Sequence, residues 1–70
     1  MAETIIYTKP GCPYCAAALQ DFRERNVLFR QVDVQHDLVA REEMRKLSGG
    51  LRVPTILHSD GKVAVGFDGF

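Results

Sequence analysis

Tryptophan is absent from this 70-residue chain, cysteine occurs twice and proline three times. Neither sign of charge is in excess, because nine Lys plus Arg stand against nine Asp plus Glu, and the pI is near 6.7. Without a basic stripe there is no electrostatic footprint for a polyanion, so no nucleic-acid partner is expected. No apolar run approaches the roughly 18 residues of a membrane span, and residues 1–8 lack the basic start and apolar core of a secretory signal. A cytoplasmic chain with no membrane partner is the expectation. At this length folding hides only about 60% of the unfolded surface, which argues for one domain over residues 1–70 and against a large enclosed cavity.

Two cysteines cannot build a disulfide scaffold, and Cys12-Pro13-Tyr14-Cys15 would close so short a loop that the chain-entropy model gives it only about 2 kcal/mol. A structural zinc site normally takes four Cys or His ligands, and only His36 and His58 stand ready to complete one, in no recognisable pair. No metal is therefore expected. Redox chemistry is the leading reading, since C-x-x-C beside a βαβ pattern in a cytosolic chain is its signature.

That pattern is present. Thr4-Ile5-Ile6-Tyr7-Thr8 is β-branched and aromatic and is stopped by Lys9-Pro10-Gly11, which predicts a buried strand. Pro13 suits a first helical position, and Cys15, Ala18, Leu19 and Phe22 follow at offsets of three and four, which predicts a helix over 13–25 with Asn26 as its stop. Residues 28–34 partly alternate and form a second strand, parallel to the first through a right-handed crossover. Asp37 caps a second helix through about residue 46, with the stripe Ala40, Met44 and Leu47 and a Glu42–Lys46 pair, before Ser48-Gly49-Gly50 ends it. Pro54 opens a strand over 55–58, and a two-residue Asp60-Gly61 turn returns the chain into Val63-Ala64-Val65. The order is βαβαββ, an α/β fold with a four-stranded mixed sheet. Two helices give each sheet face only one, and a third helix capped by Asp68 is missing from the sequence, which ends at Phe70. Either the chain is truncated or a second copy covers the exposed patch, so monomer and homodimer both stay open.

Cys12 sits at the start of the first helix, where unpaired N–H groups and the helix dipole favour thiolate over thiol, and Lys9 adds positive charge nearby. Cys15 lies one turn later on the buried stripe and is expected near the ordinary thiol value of about 8.5. The two thiols thus divide the labour: Cys12 meets solvent and Cys15 resolves from inside. In Val53-Pro54-Thr55 the tripeptide alone favours a trans bond, since only about 5% of X-Pro bonds in folded proteins are cis. The C-x-x-C upstream reverses that expectation. A cis bond there would turn the Val53 backbone outward to pair with an extended peptide-like substrate.

Together Lys9-Pro10-Gly11-Cys12-Pro13-Tyr14-Cys15, the Gly-Gly-x-Arg-Val-Pro-Thr run at 49–55 and Val65-Gly66-Phe67-Asp68 resemble a dithiol glutaredoxin of the thioredoxin fold, in the right order along essentially the whole chain. The resemblance implies a thiol–disulfide oxidoreductase with Cys12 as nucleophile, Cys15 as resolving thiol and Pro54 as the cis proline. It implies no tightly bound cofactor, with glutathione as co-substrate and disulfide-bearing proteins as partners. Glutathione would lie along a groove with Lys9 and Tyr14 beside its glycine and sulfur, the Val53 backbone on its cysteine and Asp68 near its γ-glutamyl ammonium, with Arg52, Pro54 and Gly66 also on the binding surface. Two positions depart from the family pattern: Arg52 replaces the usual Thr before Val-Pro, and Val65 replaces the first Gly of Gly-Gly-x-Asp, where a β-branched residue would be excluded if positive φ were required.

Gly66-Phe67 also resembles the glutaredoxin-like electron donors of ribonucleotide reductase, which take electrons from thioredoxin reductase. An iron–sulfur cluster bridged between two copies by Cys12 and glutathione is a third alternative, against which Pro13 and the second cysteine argue mildly. Taken singly, Arg52 reads as a carboxylate-attracting or merely solvated loop charge, Tyr14 as a shield for the sulfur, a surface that stacks on a partner or a half-exposed ring, and His36 and His58 as surface or structural residues. Met44 reads as core, and Arg23, Arg25, Arg41 and Arg45 as solvated helix faces.

Overall fold

The computed structural model describes residues 3–66. The elements run β1 (Thr4–Thr8), α1 (Pro13–Glu24), β2 (Phe29–Asp33), α2 (Leu38–Ser48), β3 (Thr55–Leu57) and β4 (Val63–Val65). The four strands form one sheet in the order β2-β1-β3-β4, with β1 parallel to β2 and antiparallel to β3, and β3 antiparallel to β4. Tyr7 stands opposite Val32 on one side and Thr55 on the other, and Thr55 in turn faces Val65. The predicted βαβαββ order and mixed sheet are observed. The third helix has no counterpart among the described residues, and Asp68 lies outside them.

Each sheet face carries one helix because the strands alternate. Ile6 and Ile56 point to α1 and pack with Leu19 and Phe22, joined by Val27, Phe29 and Ala64. Tyr7 and Val34 point to α2 and pack with Ala40 and Met44, joined by Ile5, Val32, Val53 and Leu57. The whole predicted stripe of α1, Cys15, Ala18, Leu19 and Phe22, is buried. On α2 only Ala40 and Met44 are, whereas Leu47 remains 39% exposed, so the apolar stripe stops a turn short of the prediction.

The punctuation follows local chemistry. Asp37 caps α2 by accepting the Ala40 N–H at 3.1 Å, and Gly49 closes it at φ 78°, the left-handed geometry a glycine adopts without steric cost. Asn26, at φ 57°, follows the end of α1 in the same region. Glu42 pairs with Arg45, not Lys46: the guanidinium grips both carboxylate oxygens, at 2.8 and 3.2 Å, which a point-charge ammonium cannot match. The β3–β4 connection also differs from the expected two-residue turn. Gly61 N–H donates to His58 C=O, and His58 N–H donates to Lys62 C=O, so Ser59, Asp60 and Gly61 form a three-residue loop with Gly61 at φ 92°.

Candidate functional site

The site grows from the end of β1. The chain leaves the sheet at Thr8, turns through Lys9, Pro10 and Gly11, and enters α1 with Cys12 as its N-cap and Pro13 at the first helical position. Cys12 is partly exposed, and its sulfur accepts the main-chain N–H of Cys15 at 3.3 Å. That bond occupies one of the donors a helix N-terminus leaves unpaired, and it places the sulfur where the helix dipole favours negative charge.

Cys15, one turn on, is 3% exposed. Burial pushes its thiol up to about 11, with the hydrogen bond and negative charge of Cys12 acting in the same direction and the Lys9 main-chain N–H and ammonium acting against them. The expectation of an ordinary thiol value is therefore corrected: removal of the sulfur from water outweighs the stabilising groups around it. The two sulfurs are not joined by a disulfide.

Lys9 belongs to both halves of the site. Its main chain reaches the Cys15 sulfur, and it lines a cleft of about 310 Å³ together with Gln35, Arg41, Leu51 and Val53. The floor is closed by Val34 and Met44 of the α2-side core. Arg41 was read from the sequence as a solvated helix charge. Its place beside Lys9 depends on how the turn after β1 meets the first turns of α2, which no local pattern reports. Neither cysteine lines this cleft, which is linked to the pair through Lys9, and neither lines the larger open groove between Glu3, Arg30 and His58 at the opposite end of β1.

The Val53–Pro54 peptide bond is cis, as the C-x-x-C context predicted. Pro54 is fully buried, its carbonyl accepts the Gly66 N–H at 2.8 Å, and Val53 is half-buried against the α2-side core. Gly66, at φ 84°, is the position in this segment that needs glycine's freedom. Val65 is an ordinary strand residue opposite Thr55, so its side chain breaks no backbone requirement. The structure thus joins Lys9 to Cys15, Lys9 to Val53, and Gly66 to Pro54. Tyr14, 42% exposed on α1, and Arg52, exposed in the loop, do not line the cleft. Among the described residues no cluster of three His, Cys, Asp or Glu side chains could hold a metal ion, and no helix is long and apolar enough to cross a membrane.

A four-stranded sheet between two helices, with a cysteine pair at a helix N-terminus and a cis proline opening the third strand, defines a thioredoxin-fold thiol redox protein. Comparison with known proteins narrows the class. The glutaredoxin family model matches residues 4–63, and the chain belongs to that family. It is 40% identical over 63 residues to a glutaredoxin-like 8.6 kDa protein of the Clostridium pasteurianum rubredoxin operon, covering 90% of this chain and 83% of the relative. It is 41% identical over 56 residues to glutaredoxin 3 of Escherichia coli K12, covering 80% and 68%. Among solved structures, a glutaredoxin from Archaeoglobus fulgidus superposes with a TM-score of 0.85 at 25% identity, covering 97% of this chain and 78% of that one.

Proposed function

We propose that this chain reduces mixed disulfides of glutathione and of proteins, with Cys12 as nucleophile and glutathione as reductant. The observation that carries the reading is the asymmetry of the pair: one sulfur at a helix N-terminus and open to solvent, the other buried with its proton held tightly. In the first step the Cys12 thiolate attacks the glutathione sulfur of a mixed disulfide. The S–S bond breaks, a Cys12–glutathione disulfide forms, and the displaced thiolate leaves and takes a proton from solvent. Two exits follow. A second glutathione thiolate attacks the bound glutathione sulfur and releases glutathione disulfide and Cys12 thiolate, or Cys15 attacks Cys12, closes the internal disulfide and releases glutathione.

Burial, the largest cause of the raised Cys15 value, persists when Cys12 is joined to glutathione and keeps Cys15 protonated, which favours the first exit for small substrates. Cys15 serves protein disulfides, where the second sulfur of the substrate must be released. In this reading Lys9, Arg41 and Gln35 receive the glutathione glycine carboxylate, and the Val53 main chain pairs with its cysteine. Tyr14 flanks the sulfur and Arg52 draws a substrate carboxylate from the rim. The family pattern assigns the γ-glutamyl ammonium to the Asp68 carboxylate and keeps Gly66 on the binding surface. A cytosolic setting, where thiols are kept reduced, fits this chemistry.

The test pairs the oxidised protein with two electron sources, glutathione plus glutathione reductase and thioredoxin reductase alone, following NADPH consumption on a small glutathione mixed disulfide. Turnover with glutathione in wild type and Cys15→Ser, and none in Cys12→Ser, is expected. Turnover with thioredoxin reductase alone would overturn glutathione as the reductant.

A further inference from the structure

The loop that carries Val53 is tied down on both sides of that residue. On one side the Thr55 hydroxyl donates a 2.7 Å hydrogen bond to the carbonyl of Arg52. On the other, Gly66 N–H donates to the carbonyl of Pro54 at 2.8 Å. The Val53 side chain is packed on the core formed by Tyr7, Val34, Ala40 and Met44. Among the described residues, neither the N–H nor the C=O of Val53 takes a hydrogen bond of its own. Val53 also lines the cleft, so a loop with both neighbouring carbonyls anchored and the central N–H and C=O uncommitted leaves those two groups available to an extended partner.

Thr55 is the stiffer of the two anchors. It is wholly buried and starts a central strand, held in register by Tyr7 on one side and Val65 on the other. Its hydroxyl therefore transmits the position of the sheet to a carbonyl three residues upstream, in the manner of a local side-chain to main-chain bond. We propose that Thr55 is a positioning residue, whose hydroxyl fixes the loop so that the Val53 main chain meets the substrate in a ready-made orientation. The Thr55 hydroxyl is committed to the Arg52 carbonyl and takes no part in the exchange. Its effect falls on substrate binding, because an unanchored loop must be ordered when the substrate arrives. This inference rests on the proposed glutathione chemistry.

The experiment compares wild type, Thr55→Val, which keeps the shape and removes the hydroxyl, and Thr55→Ser, which keeps the hydroxyl. KM and kcat are measured with the mixed disulfide of glutathione and 2-mercaptoethanol. The rate of Cys12 alkylation by iodoacetamide and the thermal midpoint are recorded on the same samples. Thr55→Val should raise KM about three- to tenfold, the effect of one hydrogen bond, with kcat and the alkylation rate within about twofold of wild type. Thr55→Ser should restore KM. If the valine variant does not fold, Thr55→Ala is read by the same criteria. An unchanged KM in the folded variant overturns the inference alone, as does a fall in alkylation rate that parallels the rise in KM, which marks general loosening. A wild type without turnover on the glutathione substrate removes the functional reading and the inference with it.

Discussion

The main-chain N–H of Cys15 donates to the sulfur of Cys12 at 3.3 Å, so the helical turn that hides one thiol also holds the other at the helix cap. Backbone geometry alone separates two chemically identical side chains into an outer and an inner sulfur. The spacing of two residues between them sets this, because one turn of helix carries Cys15 onto the apolar stripe with Ala18, Leu19 and Phe22 while Cys12 stays at the cap.

The raised Cys15 thiol makes alkaline stability a readout of its burial. A group whose folded value lies above its unfolded one keeps its proton in the native state while the unfolded chain releases it. Stability is therefore unaffected below about pH 8 and falls as pH climbs from 9.0 toward about 11. Tyr7, also raised by burial, adds a later loss from about pH 10. In thermal melts of reduced protein, the stability difference between wild type and Cys15→Ala should stay constant to about pH 8 and drift in the variant's favour above pH 9. The Tyr7 contribution cancels, since both proteins carry it.

Lys9 and Arg41 line the same cleft with exposed side chains, so each supplies a modest, screened attraction for a carboxylate. Lys9→Gln and Arg41→Gln should each raise KM for a glutathione mixed disulfide by roughly two- to fivefold, with kcat retained, as for solvent-exposed ion pairs. The wild-type KM should rise with added salt, and the double variant should lose most of that dependence. Steady-state kinetics at two ionic strengths measures both.

Much of this fold was legible from the residues, and the failures share a cause. Period and punctuation located α1, the Asp37 cap, Gly49 as a stop and every strand, because each depends on neighbours within a few positions. Leu47 was misjudged, and the place of the exposed Arg41 at the cleft went unread, because what an α2 face meets depends on where the sheet and the turn after β1 lie. Glu42 chose Arg45 over Lys46 on donor geometry, which charge spacing ignores. Asp60-Gly61 carried a two-residue turn signal, yet the His58–Lys62 bond widened the loop by one residue. Within the site, the cysteine pair and the cis proline were foreseen from motif context. The upward shift of Cys15 was not, because burial depth is a property of the packed helix.

Met44 is 1% exposed and packs against Tyr7, Val34 and Ala40, which makes it the keystone of the α2-side core. Truncation to alanine should cost about 2–5 kcal/mol. A domain of this size holds only about 4–10 kcal/mol in total, so Met44→Ala should lose much of its urea midpoint and unfold at least partly at 37 °C.

Asp37→Ala removes the acceptor for the Ala40 N–H and should destabilise the chain by about 1 kcal/mol, read from the same urea curves. Asp37→Ser, which keeps a capping oxygen, should recover most of the loss.

The central claim is that Cys12 forms the covalent bond to glutathione. The direct test exposes reduced Cys15→Ser and reduced Cys12→Ser to glutathione disulfide at pH 7 and measures intact mass with peptide mapping. The account predicts one glutathione on Cys12 of the Cys15→Ser protein and none on the Cys12→Ser protein, whose remaining thiol is buried and protonated. Glutathione found on Cys15 instead, or on neither protein, would contradict it.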